Sequence, residues 1–142
     1  MESVEVSTIA HATDDLVKVE TALLSVFPGK LKQREFITRK YLQGHYGNPI
    51  VTFDARLARP AEVNLFVNQF IRRLLRNERL LIERDLELHS DPEGNLFVRV
   101  DKQRALLGSI QLGGDDPIRV RMKFTRLKGD PHELMKSVLE SE

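Results

Sequence analysis

The sequence contains no cysteine. A disulfide scaffold, a thiolate metal site and a cysteine nucleophile are therefore excluded. No apolar run approaches the roughly 18 residues a membrane-spanning helix needs, so no membrane partner is expected. The opening MESVEVSTIAH carries acids and no Lys or Arg. It lacks the basic start of a secretory signal, and a cytoplasmic protein is the expectation. Aromatic residues are few, at 6%. There is no phosphate loop of the Walker type, no G-x-G-x-x-G and no G-x-S-x-G. The four histidines show no metal-ligand spacing, so neither a metal nor a cofactor is indicated.

With 142 residues and 41% hydrophobic content, the chain reads as one folded domain over residues 1–142. Residues 4–10 alternate as a strand, with Val4, Val6, Thr8 and Ala10 on one side. A helix is predicted over 14–27, capped by Thr13 and closed by Pro28-Gly29. Residues 30–41 and 50–57 read as an antiparallel pair around the loop Gln43 to Pro49. Pro60 opens the clearest helix, with Val63, Phe66, Val67, Phe70, Ile71 and Leu74 as its apolar stripe. A short helical turn is predicted around Leu80 and Leu81.

Two hairpins are predicted next. The first joins 86–89 to 96–100 through Asp91 to Asn95. The second joins 109–112 to 118–124 through Gly113 to Pro117. Between them, Asp101 caps a short helix that Gly108 closes. A last amphipathic helix begins at Asp130-Pro131. This order predicts a two-layer α+β fold, with a mixed, largely antiparallel sheet and two main helices packed on one face. The other face would stay partly open.

The formal net charge is only +1, but it is a cancellation between segments. Residues 1–20 hold five acids and one base; residues 30–41 hold five bases and one acid; residues 118–128 hold five bases and no acid. In the strand over 118–124, Ile118, Val120, Met122 and Phe124 point one way and Arg119, Arg121 and Lys123 the other. Side chains on one strand face recur at roughly 6–7 Å. Three cations at that spacing can follow a phosphate backbone. Lys30, Lys32, Arg34 and Lys40 share one parity and can extend the surface. Charged strand faces also serve simply as solvated surfaces that resist aggregation.

Phe36, Tyr41, Tyr46 and Phe97 are the aromatics placed to stack on bases, or to fill edges of the core. His45, between Gly44 and Gly47, suits a loop contact, a general base or a plain turn. No motif makes the chain an enzyme.

Four segments together carry a resemblance: Ile9-Ala10-His11-Ala12-Thr13, Gly44-His45-Tyr46-Gly47-Asn48-Pro49-Ile50, Asp101-Lys102-Gln103-Arg104-Ala105 through Leu107-Gly108, and Asp115-Asp116-Pro117-Ile118-Arg119-Val120. In this order they resemble the archaeal family described as RNA-binding domain proteins or predicted exosome subunits. The resemblance implies a fold like that of the ribosomal protein that binds 5S RNA, and an archaeal, cytoplasmic setting. It implies RNA as the partner, with exosome or ribosome-related proteins beside it, and no catalytic residues. Its motifs direct attention to His45, Tyr46, Asn48, Lys102 and Arg104.

The leading expectation is a non-catalytic RNA-binding protein, an accessory factor of RNA processing or degradation. Arg119, Arg121, Lys123 and the bases of 30–41 would contact phosphates, and His45 and Tyr46 bases or sugars. The alternative is a protein-interaction module or homodimer, in which the acidic start of one copy meets a basic strand of another. A weaker third expectation is an RNA hydrolase acting through His45.

Overall fold

A computed structural model describes residues 2–31, 36–44, 47–124 and 130–140. Five strands form one sheet: β1 (Ser3–Ala10), β2 (Ile37–Gln43), β3 (Pro49–Leu57), β4 (Asn95–Asp101) and β5 (Pro117–Lys123). Their order is β2-β3-β1-β5-β4, and every pairing is antiparallel. Five helices accompany them: α1 (Leu16–Ser25), α2 (Pro60–Arg73), α3 (Arg76–Arg84), α4 (Lys102–Leu106) and α5 (Pro131–Glu140). The α+β class is as expected, and the sheet is wholly antiparallel rather than mixed.

Alternation in the strands decides which face is covered. Val4, Val6, Val51, Phe53, Leu96, Val98, Ile118, Val120 and Met122 are buried in one core with Leu23 of α1, Phe27 just beyond its end, and Phe66, Val67 and Phe70 of α2. Phe66 is the centre of that contact: its ring meets Phe27 edge-on at 5.2 Å and stacks beside Phe70 at 5.6 Å. Strand residues of the other parity form the second face. Asp15, not Thr13, caps α1, its carboxylate accepting from the amides of Val17 and Lys18. Pro60 does open α2.

The structure corrects several predicted spans. β2 starts only at Ile37, and Lys30 lies in a separate 3-10 turn, Gly29–Leu31. The turn near Leu80 is the full helix α3. Leu86–Leu88 is a 3-10 turn, so the first predicted hairpin keeps only its second strand, with Ser90 bridging to Leu96. Its turn is built as the sequence indicates: Asp91 accepts from the amides of Glu93 and Asn95 and from the Asn95 side chain. Partial burial works against the Asp91 carboxylate, but these bonds outweigh it and hold its pKa below the ordinary value.

The second predicted hairpin does not form. Leu112 bridges to Val100 on the outer edge of β4, whereas β5 lies on the inner edge between β4 and β1. Both segments therefore pair with β4 rather than with each other. Gly108, at φ +88°, closes α4 in the conformation glycine adopts without strain.

Candidate functional site

On the sheet face away from α1 and α2, the register places side chains in rows across the strands. One row runs Thr38, Asp54, Ser7, Arg119, Arg99. The next runs Arg56, Glu5, Arg121, Phe97. Lys123 lies one row further, beside Ser3 and Asn95, and Lys40 lies on the β2 side, beside Thr52. Across this face the cations are Lys40, Arg56, Arg99, Arg119, Arg121 and Lys123; the facing acids are Glu5 and Asp54. Asp101 shares this parity, but its carboxylate accepts from the Arg104 amide at the start of α4.

The charges are not equally available. Glu5 lies between two arginines, with Oε2 at 2.6 Å from Arg121 Nη2 and Oε1 at 3.8 Å from Arg56 Nε. Arg99 and Arg119 are both exposed and directly opposite each other on β4 and β5. No ion pair joins either to an acid among the described residues. Like charges at directly opposed positions, about 5 Å apart at Cβ, oppose sheet formation. An anion placed between them would remove that repulsion.

Beside the pair is a cleft of about 710 Å³. Phe97, Arg99, Arg119 and Arg121 form its sheet side; Leu81 of α3, Leu88 and Leu112 form its other side. Glu78 on α3 accepts from the Leu112 amide at 2.7 Å, and the Phe97 amide donates to the His89 carbonyl at 2.6 Å. These bonds hold the outer segments against β4.

The predicted residues separate into groups. Arg119, Arg121, Lys123 and Lys40 share the uncovered face, with Lys40 three strands from β5, about 14 Å away. Lys30 is exposed in its turn, off the sheet. Lys32, Arg34, His45 and Tyr46 lie outside the described residues. Arg104 is exposed on α4, a helix packed against α1. Lys102 is not a surface residue. It is buried, and its Nζ donates to the Ile9 carbonyl at 2.6 Å and to Asp116 Oδ2 at 2.9 Å. Its aliphatic stem enters the fold while its charge ties the end of β1 to the start of β5.

Arg99 and the cleft leucines went unrecognised in the sequence. Arg99 is one base among apolar neighbours in the middle of its strand, and only the β4–β5 register brings it beside Arg119, 20 positions later.

The acidic start of the chain meets its basic strands within one molecule. Besides the Glu5 pairs, buried Glu20 on α1 binds Arg39 of β2, whose guanidinium also sits 5.1 Å from the Phe53 ring centre. Glu20 raises the Arg39 pKa above its ordinary value. Arg39 points to the covered face and belongs to the fold.

The four motifs that carry the family resemblance converge at one end of the sheet. Lys102 and Asp116 join the third and fourth to Ile9 of the first. His11 Nε2 lies 3.7 Å from Asp116 Oδ1. A cavity of about 300 Å³ is shared by His11, Thr13, Gly44, Asn48 and Ile50, from the first and second. A Cβ on Gly44 would come within 2.9 Å of Ile50 Cδ1 and 3.2 Å of the Asn48 carbonyl, so glycine keeps this loop closed on β3. Replacing Lys102 by Met is expected to cost about 2 kcal/mol in a denaturant melt, because two hydrogen bonds from a charged donor are lost. RNA affinity measured on the same variant should stay unchanged.

No helix among the described residues is long and apolar enough to cross a membrane. Comparison with known proteins agrees with the architecture. A solved structure of a protein from Archaeoglobus fulgidus superposes with a TM-score of 0.82 at 31% identity, over 96% of this chain and 98% of that one. One from Methanothermobacter thermautotrophicus gives 0.74 at 28% identity, over 98% of each. An RNA-binding protein of Pyrococcus abyssi is 30% identical over 141 residues, covering 97% of this chain and 91% of its own. The family model described as RNA binding matches residues 3–124, which include all five strands and the whole uncovered face, and the chain belongs to that family.

Proposed function

We propose that this protein binds RNA through the uncovered face of its sheet and does so without catalysing a reaction. The observation that carries this reading is the opposed pair Arg99 and Arg119, exposed and without an acid partner among the described residues. Arg121, Lys123 and Lys40 extend the same face. The family match and the relative named as an RNA-binding protein support RNA as the anion. The charge complementarity that would join two copies is engaged within the chain at Glu5 and Glu20, which favours RNA over self-association.

The finer parts of the proposal are a cytoplasmic accessory role in RNA processing or degradation, association with an exosome, and kinship of the fold with the ribosomal 5S-RNA-binding protein. They rest on the family resemblance. Crosslinking to cellular RNA with mapping of the contact peptides tests the role, and contact peptides should come from β4 and β5.

The direct test is titration of a labelled RNA over a salt series. Four phosphates neutralised on a single strand give a slope of log affinity against log salt of roughly −3. Binding that ignores salt, or that survives removal of the charges at Arg119, Arg121 and Lys123 together, overturns the placement.

A further inference from the structure

We infer that the cleft beside β4 receives an unpaired base, so that this face selects single-stranded RNA over duplex. The inference rests on the RNA-binding reading and adds the form of RNA that the site accepts.

Phe97 is a large aromatic in the middle of a strand, yet it is 42% exposed. Leu81 and Leu88 across the cleft are 40% and 84% exposed. Three apolar side chains left in water around one concavity offer an apolar surface to a ligand. The volume of about 710 Å³ falls within the roughly 300–1,000 Å³ of small-molecule sites. An apolar occupant alone would need no cations, but Arg121 lies directly beside Phe97, and Arg99 and Arg119 occupy the next row. The site therefore combines a flat ring, an apolar wall and guanidinium groups at its margin. A nucleotide has the matching parts: a planar base with a π-face and a phosphate one sugar away.

The same geometry discriminates between forms of RNA. In an A-form duplex the bases are stacked inside, and the helix offers a flat sheet only phosphates and riboses. Such a helix can meet the arginines but cannot place a base against Phe97. A single strand can do both at once.

The test uses the full chain and two fluorescently labelled RNAs of one sequence at one salt concentration: a single strand of about 12 nucleotides and its duplex. The single strand should bind at least tenfold more tightly. Phe97→Ala should lower single-strand affinity by roughly 10- to 100-fold and leave duplex affinity unchanged. Leu88→Glu, at a position already in solvent, should weaken the single strand about tenfold without disturbing the fold. This keeps the test valid if Phe97→Ala is unstable.

Equal binding of the two forms, with both variants silent while salt still weakens binding, overturns the base cleft and leaves the RNA-binding reading standing. Binding of neither RNA overturns both. Concentration-dependent dimerisation by light scattering, abolished by Leu88→Glu and accompanied by no RNA binding, makes the cleft an interface between copies and also overturns both.

Discussion

Replacing Arg99 and Arg119 together by glutamine is expected to weaken RNA binding by roughly 100- to 200-fold near physiological salt. Each guanidinium freely facing a phosphate contributes about 1.5 kcal/mol as a charge-assisted bond. The salt slope should also become shallower by roughly 1.4, the contribution of two phosphates on a single strand. The fold should respond in the opposite sense. The two side chains are directly opposed across β4 and β5, and removing like charges from such a pair relieves repulsion. The melting temperature should therefore hold or rise while affinity falls. The Glu5–Arg121 bond stays intact in this variant, so no carboxylate is released onto the face. Anisotropy titration and thermal melting of the same preparation check both arms. An unchanged affinity would remove the pair from the binding surface, and a large loss of stability would make it structural.

Phe66→Ala is expected to cost about 4 kcal/mol and to lower the melting temperature by roughly 10–15 °C. Phe66 is fully buried, with Phe27, just beyond the end of α1, on its edge and Phe70 one turn along α2. Removing its ring leaves a cavity between the two helices that cover the sheet, and the surrounding aromatics are too rigid to fill it. Differential scanning calorimetry measures the loss; a fall below about 3 °C would show that the helical layer does not rest on this contact. Because Phe66 lies beneath the opposite face, RNA affinity below the melting transition should be unaltered. The two variants thus separate stability from binding in opposite directions.

The element pattern was readable where it depends on neighbours in sequence. The stripe from Val63 to Leu74 identified α2 and its buried face. Alternation over 118–124 placed Arg119, Arg121 and Lys123 together on one side, as found. The errors arose where pairing is non-local. Segment 109–112 followed by a glycine-rich turn has the local chemistry of a hairpin, but Leu112 gains its partner from Val100. The motif from Asp101 to Gly108 offers no local sign that its Lys102 reaches Ile9, 93 positions earlier.

The charge pattern shows the division most clearly. The sequence by itself determined the side to which each strand residue points, because alternation is a property of the extended backbone. That was sufficient for a basic strand face and an apolar core. Only the tertiary structure decided which charges remain available. Placing β1 beside both β3 and β5 puts Glu5 between Arg56 and Arg121, and packing α1 over β2 engages Glu20 with Arg39. Placing β4 beside β5 leaves Arg99 against Arg119 with Phe97 next to them. The strand order that sets these neighbours comes from the sheet and core acting together, and ion pairing falls off over a few ångströms. A net charge of +1 therefore resolves into paired and unpaired charges only once distant segments are brought within that range.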